Sequence, residues 1–421
     1  MKKVGVALLG LGTVGGGTYQ ILTSMKEKIK QTEGVDIDVL YIIDRNKDLA
    51  KKFGLDPKMI SEDFDAVLKD DRVSIIAEFF GGIEPARTYL LKALKAGKSI
   101  VTANKEMFSK HWHELELAAV EGNAGLYFEA TSAGGVPIIR ALTESMQGNE
   151  ILSIQGIVNG TTNYILTKMA DEGRDYLSVL KEAQDLGYAE ADPTADVDGY
   201  DSMYKLSILS SLCFKKRVPI DVIYREGISS IEKIDIEYGS RFGYTLKLLA
   251  IGKMNNGKIE ARVHPSFISN DNPLASVKGS FNAVLINGTN VGDVMLYGRG
   301  AGDLPTGSAI VSDIVFCAQQ TKHKVMRFGR VNVEEDFEDD FECEYYVRMN
   351  VVDKPGVLAK IAATFGKYEV SINSVEQIAA KGAADIVFMI HKTQESAISK
   401  AIKEIKSLDI VNKVNSLIRV L

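Results

Sequence analysis

The sequence is poor in the residues that build cross-links and metal centres. Its three cysteines, Cys213, Cys317 and Cys343, are scattered and odd in number, which argues against a disulfide framework and suits free thiols in a reducing compartment. Histidine is equally sparse. His111 and His113 stand two apart in a helical stretch and so face different sides, while His264, His323 and His391 have no Cys or His neighbour, so no transition-metal ligand set is expected. No apolar run is long enough to span a bilayer, and the glycine-interrupted start "MKKVGVALLGLG" lacks the cleavage site of a signal peptide. Positive charge is in deficit, with 50 Lys and Arg against 56 Asp and Glu and a net charge of -6; there is no basic stripe interleaved with aromatics, so nucleic acid is not an expected partner. These absences leave a soluble cytoplasmic protein as the expectation.

What is present is apolar material for several cores. With 421 residues, 45% of them hydrophobic, two to three domains are expected. Val4 to Leu9 form a short apolar run, followed by "GLGTVG", in which Gly10, Gly12 and Gly15 make G-x-G-x-x-G. The motif is weak alone, but here a strand precedes it and a helix, about Val14 to Lys30, is predicted after it. That context points to a dinucleotide pyrophosphate at a helix start, with Asp44, at the end of "IDVLYIID", placed for the ribose hydroxyls. Strand and helix then alternate through "GLYFEA", which predicts a doubly wound parallel sheet.

From Ala130 to about Gly298 the pattern changes to helices mixed with alternating strands, an α+β second domain. A second glycine-rich turn, Gly298, Gly300 and Gly302, leads into an apolar helix that would face the cofactor if the chain returned to the first domain. The stretch "VEEDFEDDFECE" shows no apolar period and reads as a solvated linker. The last segment has a β-α-β-β-α-β order. The predicted boundaries are 1–129 for the nucleotide domain, completed by about 299–325, then 130–298, an acidic linker at 326–343, and 344–421.

The densest chemistry is "YAEADPTADVDGYDSMYKL", which holds Glu190, Asp192, Asp196, Asp198 and Asp201 before Lys205. A calcium loop is excluded, because aligning "DVDG" puts Lys205 where a bidentate glutamate is required. A wet acidic surface explains the acids but not the punctuation by Gly187, Pro193 and Gly199, which fixes the backbone; a solvated loop and a site for a small molecule bearing an ammonium group both stay open on these residues alone.

This motif resembles the signature of homoserine dehydrogenases from Ala183 to Lys205, supported by "GLGTVG", "VTANK", "EATSAGGVPII", "NGTTNYI" and "GAGDLPTGSA" in that family's order. The tail resembles an ACT domain, whose "VxDxPGVLxxI" runs from Val351 to Ile361. The resemblance implies three modules: a Rossmann α/β nucleotide domain, an α+β substrate and dimerisation domain, and a ferredoxin-like ACT domain. It implies hydride transfer between L-homoserine or L-aspartate 4-semialdehyde and NAD or NADP. Lys205, Lys105 and Asp201 are the implied catalytic residues, and Glu190, Asp201, Gly160, Thr161, Tyr188 and Asp196 the substrate-binding ones. Gly10, Gly12, Thr13, Val14, Gly15, Asp44, Arg45, Thr102, Lys105, Gly187 and Gly302 would hold the cofactor. Glu129 with Ser132, Gly134 and Val136 would bind a monovalent cation, sodium or potassium. A homo-oligomer, dimer or tetramer, with L-threonine as effector, completes the expectation. Two other readings stand beside it: a semialdehyde dehydrogenase with a catalytic cysteine, and a non-catalytic amino-acid sensor.

Overall fold

The structure is a computed structural model that describes residues 2–329, 331–380 and 383–421. The chain forms two compact units, one of residues 1–154, 203–223 and 281–331, the other of 155–202, 224–280 and 332–421.

The first unit is built on six parallel strands: β1 (Lys2–Leu9), β2 (Val35–Ile43), β3 (Ile60–Ser61), β4 (Val73–Glu78), β5 (Ser99–Thr102) and β6 (Leu126–Tyr127). Their spatial order is β3-β2-β1-β4-β5-β6, so the winding reverses between β1 and β4. In such sheets ligands bind beyond the carboxyl ends at that reversal. Leu9 pairs with both Ile43 and Glu78, which places Gly10, Asp44 and Glu78 around one point. The strands are apolar because both faces are covered: Val6, Leu8, Ile42, Ile75 and Val101 share one core with Ile310 and Ile314 of the helix Asp303–Gln319. That helix lies against the first helix, Thr13–Ser24, so closely that a Cβ on Gly17 would sit 2.2 Å from the Asp303 carbonyl oxygen. The single helix predicted to Lys30 is two, Thr13–Ser24 and Lys26–Glu33, because Met25 leaves helical geometry between them.

The second unit carries the antiparallel hairpin Tyr244–Asn255 and Lys258–Ser269, closed by Asn256 and Gly257, both at positive φ as a two-residue hairpin turn requires. The C-terminal module joins its sheet directly. Strand Val411–Val420 pairs in parallel with Lys258–Ser269 through Ser266 with Arg419 and Phe267 with Val420. Beyond this fourth strand of the module come Glu342–Val352, Ala383–Gln394 and Ile372–Ala380, its first, third and second strands. Helices Val357–Lys367 and Glu395–Ile405 cover one face, burying Ile361, Phe365, Ile398 and Ile402 with Tyr345, Val347 and Met349.

The acidic stretch is not a free linker. Val333–Asp336 makes a helical turn, Phe337 and Phe341 are buried, and Asp340 accepts hydrogen bonds from the backbone and hydroxyl of Ser396. Two isolated phenylalanines anchor the segment, a signal with no period to detect.

Candidate active site

In the first unit, Gly10 leaves β1 at φ +102, and a Cβ on Gly15 would lie 2.2 Å from the Gly10 carbonyl oxygen, so the turn admits only glycine there. Among the described residues, its chain neighbours aside, nothing stands within 4 Å of where a Cβ on Gly12 would be. Thr13 and Val14 follow as the first turn of the helix, whose free N–H groups favour a phosphate. Asp44 is held on this loop: one carboxylate oxygen accepts from Leu11 N–H at 2.8 Å, the other from Asn46 N–H at 2.9 Å. Arg45 beside it is exposed, and both line a cleft of about 470 Å³ with Phe80, Gly81 and Tyr89. Gly302, at φ +124, caps the helix Asp303–Gln319.

Thr102 and Lys105 stand at the end of β5. Thr102 donates to Glu78 Oε2 at 2.6 Å, Phe80 N–H donates to Glu78 Oε1 at 2.7 Å, and Asn104 N–H donates to Thr102 Oγ1 at 3.0 Å. Asn104 caps the helix Lys105–Glu121 by accepting from Met107 N–H and donates to the carbonyls of Phe80 and Gly82. Lys105 is therefore fixed as the first residue of that helix. Burial pushes the Glu78 carboxyl up to about 7 against the pull of these hydrogen bonds. Glu78 and Asn104 were not singled out in the sequence, where Glu78 lies inside the strand run "VSIIAEFF" and Asn104 inside "VTANK".

In the second unit Asp196 and Asp201 meet at Asn159, the first residue of "NGTTNYI", to which the sequence assigned no role of its own. Its amide nitrogen donates to Asp196 at 2.6 Å and to Asp201 at 3.0 Å, while its oxygen accepts from Thr162 N–H and caps the helix Gly160–Glu172. Thr161 donates to the Tyr188 carbonyl at 2.7 Å. Gly160 has no room for a side chain, since a Cβ would lie 2.7 Å from the Ser280 carbonyl oxygen. Gly187, at φ +76, belongs to the turn after Tyr176–Asp185, in this unit. Glu190 is exposed. Asp192 closes a turn onto Thr194, which holds its carboxyl below the ordinary range, and Asp198 accepts from Ser229. Asp201 and Lys205, both buried, lie one turn apart on the helix Tyr200–Phe214.

Glu129 is buried with each carboxylate oxygen on a backbone N–H, that of Ile139 at 2.7 Å and that of Arg140 at 2.9 Å. Its own N–H donates to Asp313, which the Arg140 guanidinium meets at 2.6 Å. Burial and the Asp313 charge push Glu129 up to about 7, and burial pushes Asp313 up to about 6. Ser132 Oγ close by in sequence is buried without a hydrogen-bond partner among the described residues. Two carboxylates beside one arginine, with a vacant hydroxyl on the 132–136 segment, suit a singly charged cation held by oxygen. No cluster of three or more His, Cys, Asp and Glu side chains suited to a metal ion occurs among the described residues.

All three cysteines are buried, and burial pushes the thiols of Cys213 and Cys317 up to about 12, leaving no thiolate for a thioester mechanism. No helix among the described residues is long and apolar enough to cross a membrane.

Known proteins share this layout from end to end. Residues 10–129 match the family model for the NAD-binding domain of homoserine dehydrogenase, 137–315 that for homoserine dehydrogenase, and 345–409 the ACT domain. A homoserine dehydrogenase of Synechocystis is 40% identical over 99% of both chains, and that of Bacillus subtilis 37% identical over 100% of this chain and 99% of its own. The crystal structure of a homoserine dehydrogenase from Thiobacillus denitrificans superposes with a TM-score of 0.92 at 38% identity, covering 100% of this chain and 99% of that one. A hyperthermophilic archaeal homoserine dehydrogenase solved with NADPH covers 77% of this chain and 100% of its own at a TM-score of 0.65 and 31% identity. On this evidence the chain belongs to the homoserine dehydrogenase family.

Proposed function

We propose that the chain interconverts L-homoserine and L-aspartate 4-semialdehyde by hydride transfer to or from NAD or NADP, on the route to threonine, methionine and isoleucine. The observation that carries this reading is the Asn159 amide bridging Asp196 and Asp201, with Lys205 one turn beyond Asp201. Fixed carboxylates of this kind suit an amino acid's ammonium, Glu190 adding a further charge, and Gly160, Thr161 and Tyr188 shape the same helix start. Lys205 gives a proton to the aldehyde oxygen in the reductive direction, and Lys105 stabilises the developing alkoxide. The nucleotide, when bound, supplies or accepts the hydride. Gly10, Gly12, Thr13, Val14 and Gly15 hold its pyrophosphate, Asp44 and Arg45 its adenosine end, and Thr102, Lys105, Gly187 and Gly302 its remainder.

The Glu129 carboxylate, with the carbonyls of Ser132, Gly134 and Val136, holds sodium or potassium, a structural ion that neutralises the buried acids. The protein works in the cytoplasm as a dimer or tetramer. L-threonine acts on the ACT domain near Asp353, Lys354, Pro355 and Gly356, with Asn373 as partner; Gly356, at φ +89, starts the helix Val357–Lys367 there. The decisive experiment is homoserine-dependent formation of reduced nicotinamide, followed by its absorbance. A chain that binds nucleotide yet reduces none with homoserine would be a sensor and not a dehydrogenase.

A further inference from the structure

Four cations in the second unit are almost wholly buried among the described residues: Lys247, Arg262, Arg348 and Arg419. Three have a carboxylate, Glu260 for Arg262, Asp235 for Arg348 and Glu395 for Arg419. Lys247 has none within 4.0 Å among the described residues. It is 2% exposed, and its ammonium donates only to neutral oxygens, Asn163 Oδ1 at 3.1 Å and the Val277 carbonyl. Buried charges are ordinarily paired, because an isolated ion out of water is costly. Burial accordingly pulls this lysine down to about 8, which still leaves it largely protonated near neutrality.

The same lysine lines a cavity of about 480 Å³. One wall is the helix Gly160–Glu172, presenting Leu166 and Met169; another is the helix Lys233–Arg241, presenting Glu237. Asp171 also lines it, in an exposed ion pair with Lys278. The space thus offers a buried cation without a carboxylate partner, an apolar wall, and carboxylates towards solvent, where the exposed Arg241 and Lys278 also stand.

We propose that this cavity binds a small aliphatic α-amino acid, its carboxylate on Lys247, its ammonium towards Asp171 and Glu237, and its side chain against Leu166 and Met169. The site is separate from the turn at Asp353. Its two walls belong to functional elements: Gly160–Glu172 starts at Asn159, which holds Asp196 and Asp201, and Lys233–Arg241 carries Asp235, which holds Arg348 of the C-terminal module. An occupant therefore touches the helix that orients the substrate acids and the helix docked on the ACT sheet.

The test is calorimetric titration of the full chain with L-threonine, L-isoleucine and L-valine, and with L-threoninamide, which lacks the carboxylate. Every titration is repeated in an Asp353→Ala background, so that heat from the C-terminal turn is separated. At least one amino acid is expected to bind in both backgrounds while the amide does not. Lys247→Met should weaken that binding about tenfold or more, as loss of a charged hydrogen bond does. Ala170→Trp, which fills the cavity from an exposed position, should do the same and decides the matter if Lys247→Met fails to fold. The proposal is overturned if no amino acid binds in the Asp353→Ala background at millimolar concentration, or if the variants bind as tightly as the parent. The readout is heat of binding, so failure here is distinct from failure of the dehydrogenase assay.

Discussion

Arg348 and Asp235 form an ion pair almost out of reach of water, with Nε 2.6 Å from Oδ1 and Nη2 3.2 Å from Oδ2. Tyr346 and Ser416 donate to the same carboxylate, from the sheet face opposite the two helices of the C-terminal module. One aspartate near the start of a short helix thus receives three side chains of the ACT sheet.

Asp235→Ala should destabilise the chain by about 3 kcal/mol, because it leaves the buried Arg348 guanidinium with the half-exposed Glu232 carboxylate as its remaining anionic partner. Replacing both partners, Asp235→Leu with Arg348→Leu, should restore much of that loss. Urea unfolding of Asp235→Leu, Arg348→Leu and the double measures the coupling; additive effects would mean the pair does not act as a unit.

Asn159→Ala should raise the half-saturating homoserine concentration by about tenfold or more, since a hydrogen bond to a charged group is worth about 1.5–3 kcal/mol. The half-saturating nucleotide concentration should stay within about twofold. Initial rates over both substrates separate the two, and a parallel rise in both would count against a substrate-side role.

Lys205→Ala and Lys105→Ala should each lower turnover on the order of a hundredfold, far more than they lower nucleotide affinity. Circular dichroism checks folding. Near-normal turnover in both variants would remove the roles assigned to them.

Glu78 ties stability to pH. Its carboxyl titrates at about 7 in the folded chain and near 4.5 when unfolded. Between those values the folded chain keeps a proton that the unfolded chain has lost, so stability from this group is present below the lower value and is lost as pH rises through the upper one. Glu78→Gln keeps the shape and removes the titration. Thermal melts should show it gaining on the parent at about pH 8 and not at about pH 5; equal differences at both would contradict the assignment.

Nucleotide choice should be mixed. Asp44 repels a 2′-phosphate and Arg45 attracts it, so the specificity constants for NAD and NADP should differ by less than roughly a thousandfold, about 4 kcal/mol. Arg45→Ala should move the ratio towards NAD. Asp44→Asn is the better partner variant than alanine, because it keeps an acceptor for Leu11 N–H.

The parallel sheet was legible because burial on both faces leaves near-continuous apolar strands, and the first glycine motif because its neighbours were a strand and a helix. The family was legible through the long spaced motif around Asp201. What escaped notice had two jobs at one position. Asn159 reads as a helix cap, which it is, and only folding brings Asp196 and Asp201 to its amide. Glu78 ends a strand and looks solvated, yet it is buried against Thr102 and Phe80. Asp313 sits inside the apolar run "AIVSDIVFC", and its partners lie some 180 residues away in sequence.

The close crossing of Thr13–Ser24 and Asp303–Gln319 at Gly17 bears on synthesis. The six-stranded sheet is synthesised before the helix Asp303–Gln319, yet one of its faces is completed by Ile310 and Ile314. Until residue 319 of 421 is made, Val6 and Leu8 lack part of their cover. The nascent sheet must then wait, exposed to aggregation and a natural client for chaperones, for most of the remaining chain to arrive.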